Sequence, residues 1–441
     1  MNKTKNLTKE EIRDKREKFL MPAYMTYFKD PVQIVRGEMQ YVYDDQGKRY
    51  LDAFSAVVTI SVGHCHPDIV PEVQKQNATL QHMTTLYYTE SLVRLAEELA
   101  SIAPGKLQKS FFTNSGTEAN EFAAVIAKNY TKRHEFIALQ HSFHGRTLMS
   151  MTLCGQGIWR NAIPFVFGVN HAPAAYCYRC PLGLSYPSCD VRCAKQVEDI
   201  IKCSTSGKIA AMIAEPIMGF GGVITPPKEY FKIIQEIVHR YGGLLISDEV
   251  QTGYGRLGDS WFGMEDYGVE PDMMTMAKGM GNGIPIGGVI TTPEIAECHR
   301  GLIHFSTYGG NPVSTTQARL VIETIKKREY KKNAQVIGKQ LKDGFEGLQK
   351  KHMIIGDVRG KGLMLGIELV KDRKTKEPAA KEMLRMMDIC MERGLFIGKG
   401  AMAGNVIRIK PPLCIGKEDA DFIIKTLDET LGIVEKESGI K

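Results

Sequence analysis

No run of this chain approaches the ~20 consecutive apolar residues that a bilayer-spanning helix needs. The most apolar candidate, Ile209-Ala-Ala-Met-Ile-Ala214, is cut off by Glu215-Pro216. No cluster of Lys and Arg is interleaved with aromatic residues, so no nucleic-acid face is expected, and a net charge of +7 on 441 residues favours an anionic ligand only weakly. Internal repeats and low-complexity segments are absent. With 43% hydrophobic and 24% charged residues the composition is that of a soluble globular chain long enough for one large and one smaller domain. Residues 1–20 lack the apolar core of a signal peptide and mix Glu and Asp with Lys and Arg, which a transit peptide avoids. A cytoplasmic location is therefore expected.

Disulfides are not expected either, since ten scattered cysteines in a long chain suit reduced thiols. One cluster stands apart: Cys177-Tyr-Arg-Cys180, followed by Cys189 and Cys193. Four thiolates at this spacing could close around zinc or an iron–sulfur cluster. Pro181, Pro187 and the neighbouring aromatic residues could equally pack the loop with free thiols, and no metal is the expectation carried forward. In His64-Cys-His66-Pro67-Asp68 the Pro and Asp favour a turn into a helix over a histidine metal site.

Short strands around Val32-Gln-Ile-Val-Arg36 and Gln40-Tyr-Val-Tyr43, separated by turn residues, predict a small N-terminal sheet. From about residue 68 onward helical stretches alternate with short apolar runs at 109–112, 136–139, 210–214, 244–247 and 273–276, the pattern of a parallel, doubly wound sheet covered by helices. A helical region over 317–348, a helix near 380–393, a strand around Val406-Ile-Arg-Ile409 and a final helix from Lys417 predict a C-terminal α+β unit that shares its sheet with the N-terminal strands. The expected division is 1–66 and 316–441 for a small domain, and 67–315 for a large one.

The chemistry gathers where strands end. Lys278 lies in the glycine-rich stretch Met273-Met-Thr-Met-Ala-Lys278-Gly-Met-Gly-Asn-Gly283, thirty positions after Asp248 at the end of Leu244-Leu-Ile-Ser-Asp248. A lysine without a sequence-near carboxylate in an apolar setting has a lowered pKa and a free amine for Schiff-base chemistry. A carboxylate at the end of a buried strand needs a cationic partner, and a protonated pyridine nitrogen would serve. Together they are the pair that makes pyridoxal 5'-phosphate (PLP) an electron sink. Phe111-Phe-Thr-Asn-Ser115-Gly116-Thr117-Glu118 reads as strand, turn and helix start, whose free N–H groups and hydroxyls cradle a phosphate. Phe143, in His141-Ser-Phe143-His144-Gly145-Arg146, could stack on a flat heteroaromatic ring.

These segments, with Gly63 to Pro67, Glu215-Pro216, Ser247 to Arg256 and Thr307 to Pro312, resemble the class-III PLP-dependent aminotransferases nearly end to end, with the alanine–glyoxylate and β-alanine–pyruvate types nearest. The resemblance implies an α/β fold of PLP fold type I: a large domain with a mixed, mostly parallel seven-stranded sheet, and a smaller α+β domain from both termini. It makes Lys278 the Schiff-base lysine and proton carrier, and Asp248 the partner of the pyridine nitrogen. Val250 and Phe143, with His144 beside it, would hold the ring, Gln251 would approach its phenolic oxygen, and Ser115, Gly116 and Thr117 would grip the phosphate. Thr307 would complete the phosphate site of the neighbouring subunit in a homodimer. Arg408 would clamp a substrate carboxylate, Glu215 would touch the cofactor and neutralise Arg408 when the amine lacks an α-carboxylate, and Val57 would line the substrate side.

The implied reaction moves an amino group from an amino acid or an ω- or β-amino donor to pyruvate, glyoxylate or 2-oxoglutarate in two half-reactions. Relatives that take 4-aminobutyrate or β-amino acyl thioesters are an alternative within the family. Racemases, aminomutases and decarboxylases are alternatives on the same framework. A non-catalytic protein would be expected to lose Lys278 or Asp248, and both are present.

Overall fold

A computed structural model describes residues 7–28, 30–160 and 166–440. Its central sheet has seven strands: β1 (Lys109–Thr113), β2 (Phe136–Leu139), β3 (Val169–Ala172), β4 (Ala211–Ala214), β5 (Leu244–Asp248), β6 (Met273–Met276) and β7 (Gly287–Thr291). They lie in the order β1-β7-β6-β5-β4-β2-β3, all pointing one way except β7, which is antiparallel to both its neighbours.

Alternate residues of each strand enter opposite cores, as a sheet buried on both faces requires. Ile137, Leu139, Met212 and Leu245 pack with the helices Arg192–Ser204 and Tyr230–Arg240. Phe136, Ala138, Ile213 and Ile246 pack with the helix Gly116–Thr131 on the other side. That arrangement is why these strands read as continuous apolar runs. Two strands were not among those runs. Val169-Asn-His-Ala172 is an edge strand and can afford polar residues, and β7 is hidden by Gly287 and Gly288, where β1 passes close enough that added side chains would crowd its backbone.

The terminal regions form two further four-stranded sheets. Ile355–Lys361, Met364–Leu369, Val406–Ile409 and Gly398–Gly400 pair antiparallel. The N-terminal strands Ile34–Glu38, Tyr41–Asp44 and Arg49–Asp52 take just one partner from the C-terminal region, Leu395–Phe396. Sharing between the two termini is thus narrower than the pattern suggested. The helical region expected over 317–348 is two helices, Pro312–Lys327 and Tyr330–Lys351, broken where Glu329 takes a left-handed φ of 51°.

Asn282 fastens the turn after β6 to the N-terminal segment. Its Oδ1 accepts from the Val62 N–H at 3.0 Å and its Nδ2 donates to the Gly63 carbonyl at 2.9 Å. Its φ of 45° is one that Asn tolerates better than most side chains. Asn282→Ala strands two buried backbone groups in an unfavourable conformation, and urea unfolding is expected to register a loss of about 3 kcal/mol.

Candidate active site

Parallel neighbours place their carboxyl ends side by side, and the register here aligns three titratable groups. Ala214 pairs with Ser247 and Asp248 pairs with Thr275, so Glu215, Asp248 and Lys278 follow adjacent strands at one edge of the sheet. They open onto a cleft lined also by Gly116, Thr117, Asn120, Phe143, His144, Gly145, Val250, Gln251 and Ala277.

Lys278 begins a short 3-10 turn with a left-handed φ of 43°, a strained conformation for a side chain of this size. The Ser61 hydroxyl holds the turn by donating to the Gly279 carbonyl at 2.6 Å. The side chain is accessible only partly, by way of the cleft. Burial pushes its amine below the usual lysine range, against the pull of Asp248 and Glu215 and with the help of Arg408. No ion pair to Lys278 forms among the described residues, because both carboxylates are engaged elsewhere.

Asp248, 3% exposed, accepts from His144 Nδ1 at 2.7 Å, Asn120 Nδ2 at 2.9 Å and the Val250 N–H at 3.1 Å. Glu215 accepts the Phe143 N–H at 2.9 Å and the Gly219 N–H at 2.7 Å, while burial raises its pKa. It therefore staples two loops together and does not bond to Arg408.

Arg408 is fully buried, its guanidinium 4.7 Å from the Phe54 ring centre and 5.1 Å from that of Phe220. None of its side-chain nitrogens has a hydrogen-bond partner among the described residues. Burial lowers its pKa to about 10, with nearby Tyr27 and Glu215 opposing. Phe220 stands 6.0 Å from Phe143, so an aromatic row links the two ends of the site.

Not every expected residue lines the cleft. Ser115 caps the helix Gly116–Thr131, its Oγ accepting the Glu118 N–H at 3.2 Å, with its own hydrogen left to donate. Val57 lies in a turn where Ser55, Ala56, Val57 and Val58 all have positive φ, a conformation secured by Asp52 Oδ1, which accepts the Phe54 and Ser55 N–H groups. Thr307 is exposed, next to Ser306, whose hydroxyl accepts from Asn114 Nδ2 at 3.3 Å.

Asn120, Phe54, Phe220, Tyr27 and Lys410 went unread. For Lys410 a signal existed: residues two apart on a strand share a face, and Lys410 follows Arg408 at that spacing.

Cys177, Cys180, Cys189 and Cys193 line one small cavity with apolar walls. Burial raises the thiols of Cys177 and Cys193, the latter to about 11, which opposes the thiolate form a metal needs. Among the described residues no group of three or more His, Cys, Asp or Glu is arranged to hold a metal ion. His64 and His66 are spent on Asp52 and Tyr330.

The family model for class-III aminotransferases matches residues 24–431. The chain belongs to the class-III aminotransferases. Such enzymes use PLP to transfer amino groups between amino and oxo acids, and so does this one. The chain is 45% identical over 421 residues to alanine–glyoxylate aminotransferase 2 homolog 2, mitochondrial, of Arabidopsis thaliana, covering 95% of this chain and 87% of that one. It is 37% identical to the human alanine–glyoxylate aminotransferase 2, mitochondrial, covering 93% and 84%. An amine transaminase from an uncultivated Pseudomonas species, solved in its PLP-bound form, superposes with a TM-score of 0.89 at 29% identity over 95% of this chain and 99% of that one. This class-III aminotransferase thus has the fold-type-I architecture.

The mitochondrial relatives overturn the cytoplasmic expectation. Glu10 and Glu11, among the acidic residues behind it, belong to the helix Lys9–Phe19, where Glu11 and Thr8 form a capping box. Among the described residues no helix is long and apolar enough to cross a membrane.

The cleft fits PLP on the chemistry of its own groups. It has an amine whose pKa burial lowers and a buried carboxylate whose described partners are all neutral donors or a histidine. Gly116 stands at a helix start where a side chain would run into Val250, leaving the N–H groups open to a phosphate.

An unpaired buried guanidinium is expensive, and cation–π contacts recover only part of its cost. Arg408→Met should raise the urea midpoint of the cofactor-free protein by the equivalent of about 1–2 kcal/mol. A lowered midpoint would mean that Arg408 is a structural support.

Proposed function

We propose that this aminotransferase moves an amino group from alanine or an ω-amino donor to a small 2-oxo acid such as glyoxylate or pyruvate, with Lys278 and Asp248 as catalytic residues. The observation that carries the reading is the lowered pKa of the Lys278 amine, in one cleft with the buried Asp248. PLP, when bound, supplies an aldehyde that takes amines covalently and a ring that draws off an electron pair.

Lys278 is the amine that holds the cofactor and afterwards carries a proton from the substrate carbon, tasks that a lowered amine pKa favours. Asp248 keeps the ring nitrogen cationic, and the hydrogen bond from His144 fixes its carboxylate in place. Phe143 and Val250 enclose the ring, Gln251 meets its phenolic oxygen, and Gly116 and Thr117 take the phosphate with the help of the Ser115 hydroxyl. Arg408 binds a substrate carboxylate, for which its unpartnered nitrogens are suited. Glu215, close enough to raise the Arg408 pKa, moderates that charge when the amine brings no carboxylate of its own. Val57 borders the substrate side. The alanine and glyoxylate of the relatives' names support the substrate class.

A homodimer is part of this reading, with Thr307 completing the partner's phosphate site. Leu86, Tyr88, Ile303, Phe305 and Tyr308 are exposed apolar side chains on two segments that meet where the His82 and Tyr308 rings lie 5.4 Å apart. An apolar surface of that kind around Thr307 suits burial against a second copy.

A panel of alanine, β-alanine, 4-aminobutyrate and taurine against glyoxylate, pyruvate and 2-oxoglutarate tests the assignment. Turnover is expected only when donor and oxo acid are both present. Conversion of a single amino compound without an oxo acid would instead mark an isomerase. Lys278→Ala should abolish turnover and the visible absorption of the bound cofactor while the protein still folds. Because a depressed amine loses its proton below the usual lysine range, recombination of stripped protein with PLP should slow as pH falls, with a midpoint below that of an ordinary lysine.

A further inference from the structure

Lys410 is completely buried, yet it is absent from the cleft lining and the reading above gives it no task. Its Nζ donates to Gln251 Oε1 at 2.9 Å and to the Gly219 carbonyl at 3.3 Å, and no carboxylate pairs with it among the described residues. Burial, reinforced by the charge on Arg408, drives the amine well below the lysine range. An apolar side chain of similar length would fill this space without the desolvation cost. A buried lysine held at such expense calls for a use.

Gln251 shows what that use is. A carboxamide accepts at its oxygen and donates at its nitrogen, so fixing one end orients the other. An ammonium has three hydrogens and a neutral amine two, enough in either state to satisfy both Gln251 Oε1 and the Gly219 carbonyl. With its oxygen turned to Lys410, Gln251 keeps Nε2 directed away from it, and Gln251 is a lining residue of the cleft. Gly219 closes the arrangement. A side chain there would collide with the Gln251 carboxamide, and its N–H is anchored on Glu215 Oε2 at 2.7 Å.

We propose that Lys410 is a positioning residue for the aminotransferase reaction, holding Gln251 so that its amide nitrogen, not its oxygen, faces the phenolic oxygen of PLP. This rests on the reading of Gln251 given above. A fixed N–H donor stabilises an anionic oxygen and thereby lowers the proton affinity of the chromophore attached beside it. Without Lys410 the carboxamide is free to turn and the donor is no longer assured.

The test is a pH titration of the visible absorption of the purified holoenzyme, with borohydride trapping and mass spectrometry at Lys278 on the same samples. Lys410→Met should move the titration upward by about one pH unit while Lys278 remains trapped. Lys410→Arg, which keeps N–H donors, should hold it near the parent value. Gln251→Met should shift it in the same direction, and Lys410→Met on that background should add nothing. An unmoved titration in Lys410→Met, or a further shift on the Gln251→Met background, overturns the proposal. If Lys410→Met does not fold, Gln251→Met decides alone, since an unmoved titration there removes the group through which Lys410 acts. A parent enzyme whose Lys278 is not trapped refutes the assignment of the cleft itself, an outcome distinct from either of these.

Discussion

Burial depresses the Lys278 amine although two acidic side chains lie near it, and both of those are committed elsewhere. Asp248 gives its lone pairs to His144, Asn120 and the Val250 N–H, and Glu215 gives its own to the Phe143 and Gly219 N–H groups. Had either carboxylate turned to Lys278, an ion pair would have formed and the amine would have gained a proton. Attraction from both acids persists through space, but burial outweighs it. The hydrogen bonds that look like loop scaffolding therefore also keep both carboxylates off the Lys278 amine, and the sheet register that sets these residues on adjacent strands makes the arrangement possible.

The same economy explains the unusual charge content of this interior. Lys278, Arg408, Lys410 and Arg256 are all enclosed, and burial lowers the pKa of each. Arg256 Nη1 donates to the carbonyls of Leu363 and Pro411 while its Nη2 has no partner among the described residues, and Lys410 donates to Gln251 and Gly219. Arg408 faces the rings of Phe54 and Phe220, with Tyr27 and Glu215 nearby and no hydrogen bond to its nitrogens among the described residues. The two guanidiniums, their pKa lowered to about 10, still carry their charge near neutral pH, and neutral partners leave that positive potential uncancelled, which favours an anionic ligand. Stability is given up locally so that binding energy is available to the ligand.

Much of this was legible because fold and chemistry impose separate patterns on the chain. The buried parallel strands read as apolar runs since both their faces are covered, and the reactive residues follow those runs since strand ends are where such a sheet binds ligands. Val169–Ala172 and β7 escaped for opposite reasons, one being a polar edge and the other glycine-rich. At the site, residue type and spacing single out Lys278 and Asp248, and the fold brings both to one cleft. The idle guanidinium of Arg408 and its separation from Glu215 could not, since hydrogen-bond partners are chosen by tertiary contacts among distant segments. Location was misread because charges at residues 9–19 that stabilise a helix resemble, by composition alone, charges that would argue about targeting.

Strain follows the same geography. Lys278, which lines the cleft, and the four residues from Ser55 to Val58 adopt left-handed backbone that side chains ordinarily avoid. Each is over-determined: Ser61 and Asn282 hold the lysine turn, and Asp52 holds the other. The Ser55 hydroxyl adds a bond to the Lys410 carbonyl at 2.6 Å, and the Lys410 N–H returns one to Ala53 at 2.8 Å. The strand end that carries Arg408 and Lys410 is thereby joined directly to the strained turn that carries Val57. The backbone of that turn and the backbone that carries the two cationic side chains cannot shift independently. A substitution that relaxed the turn would displace the charges as well, which is a physical reason for the strain to persist.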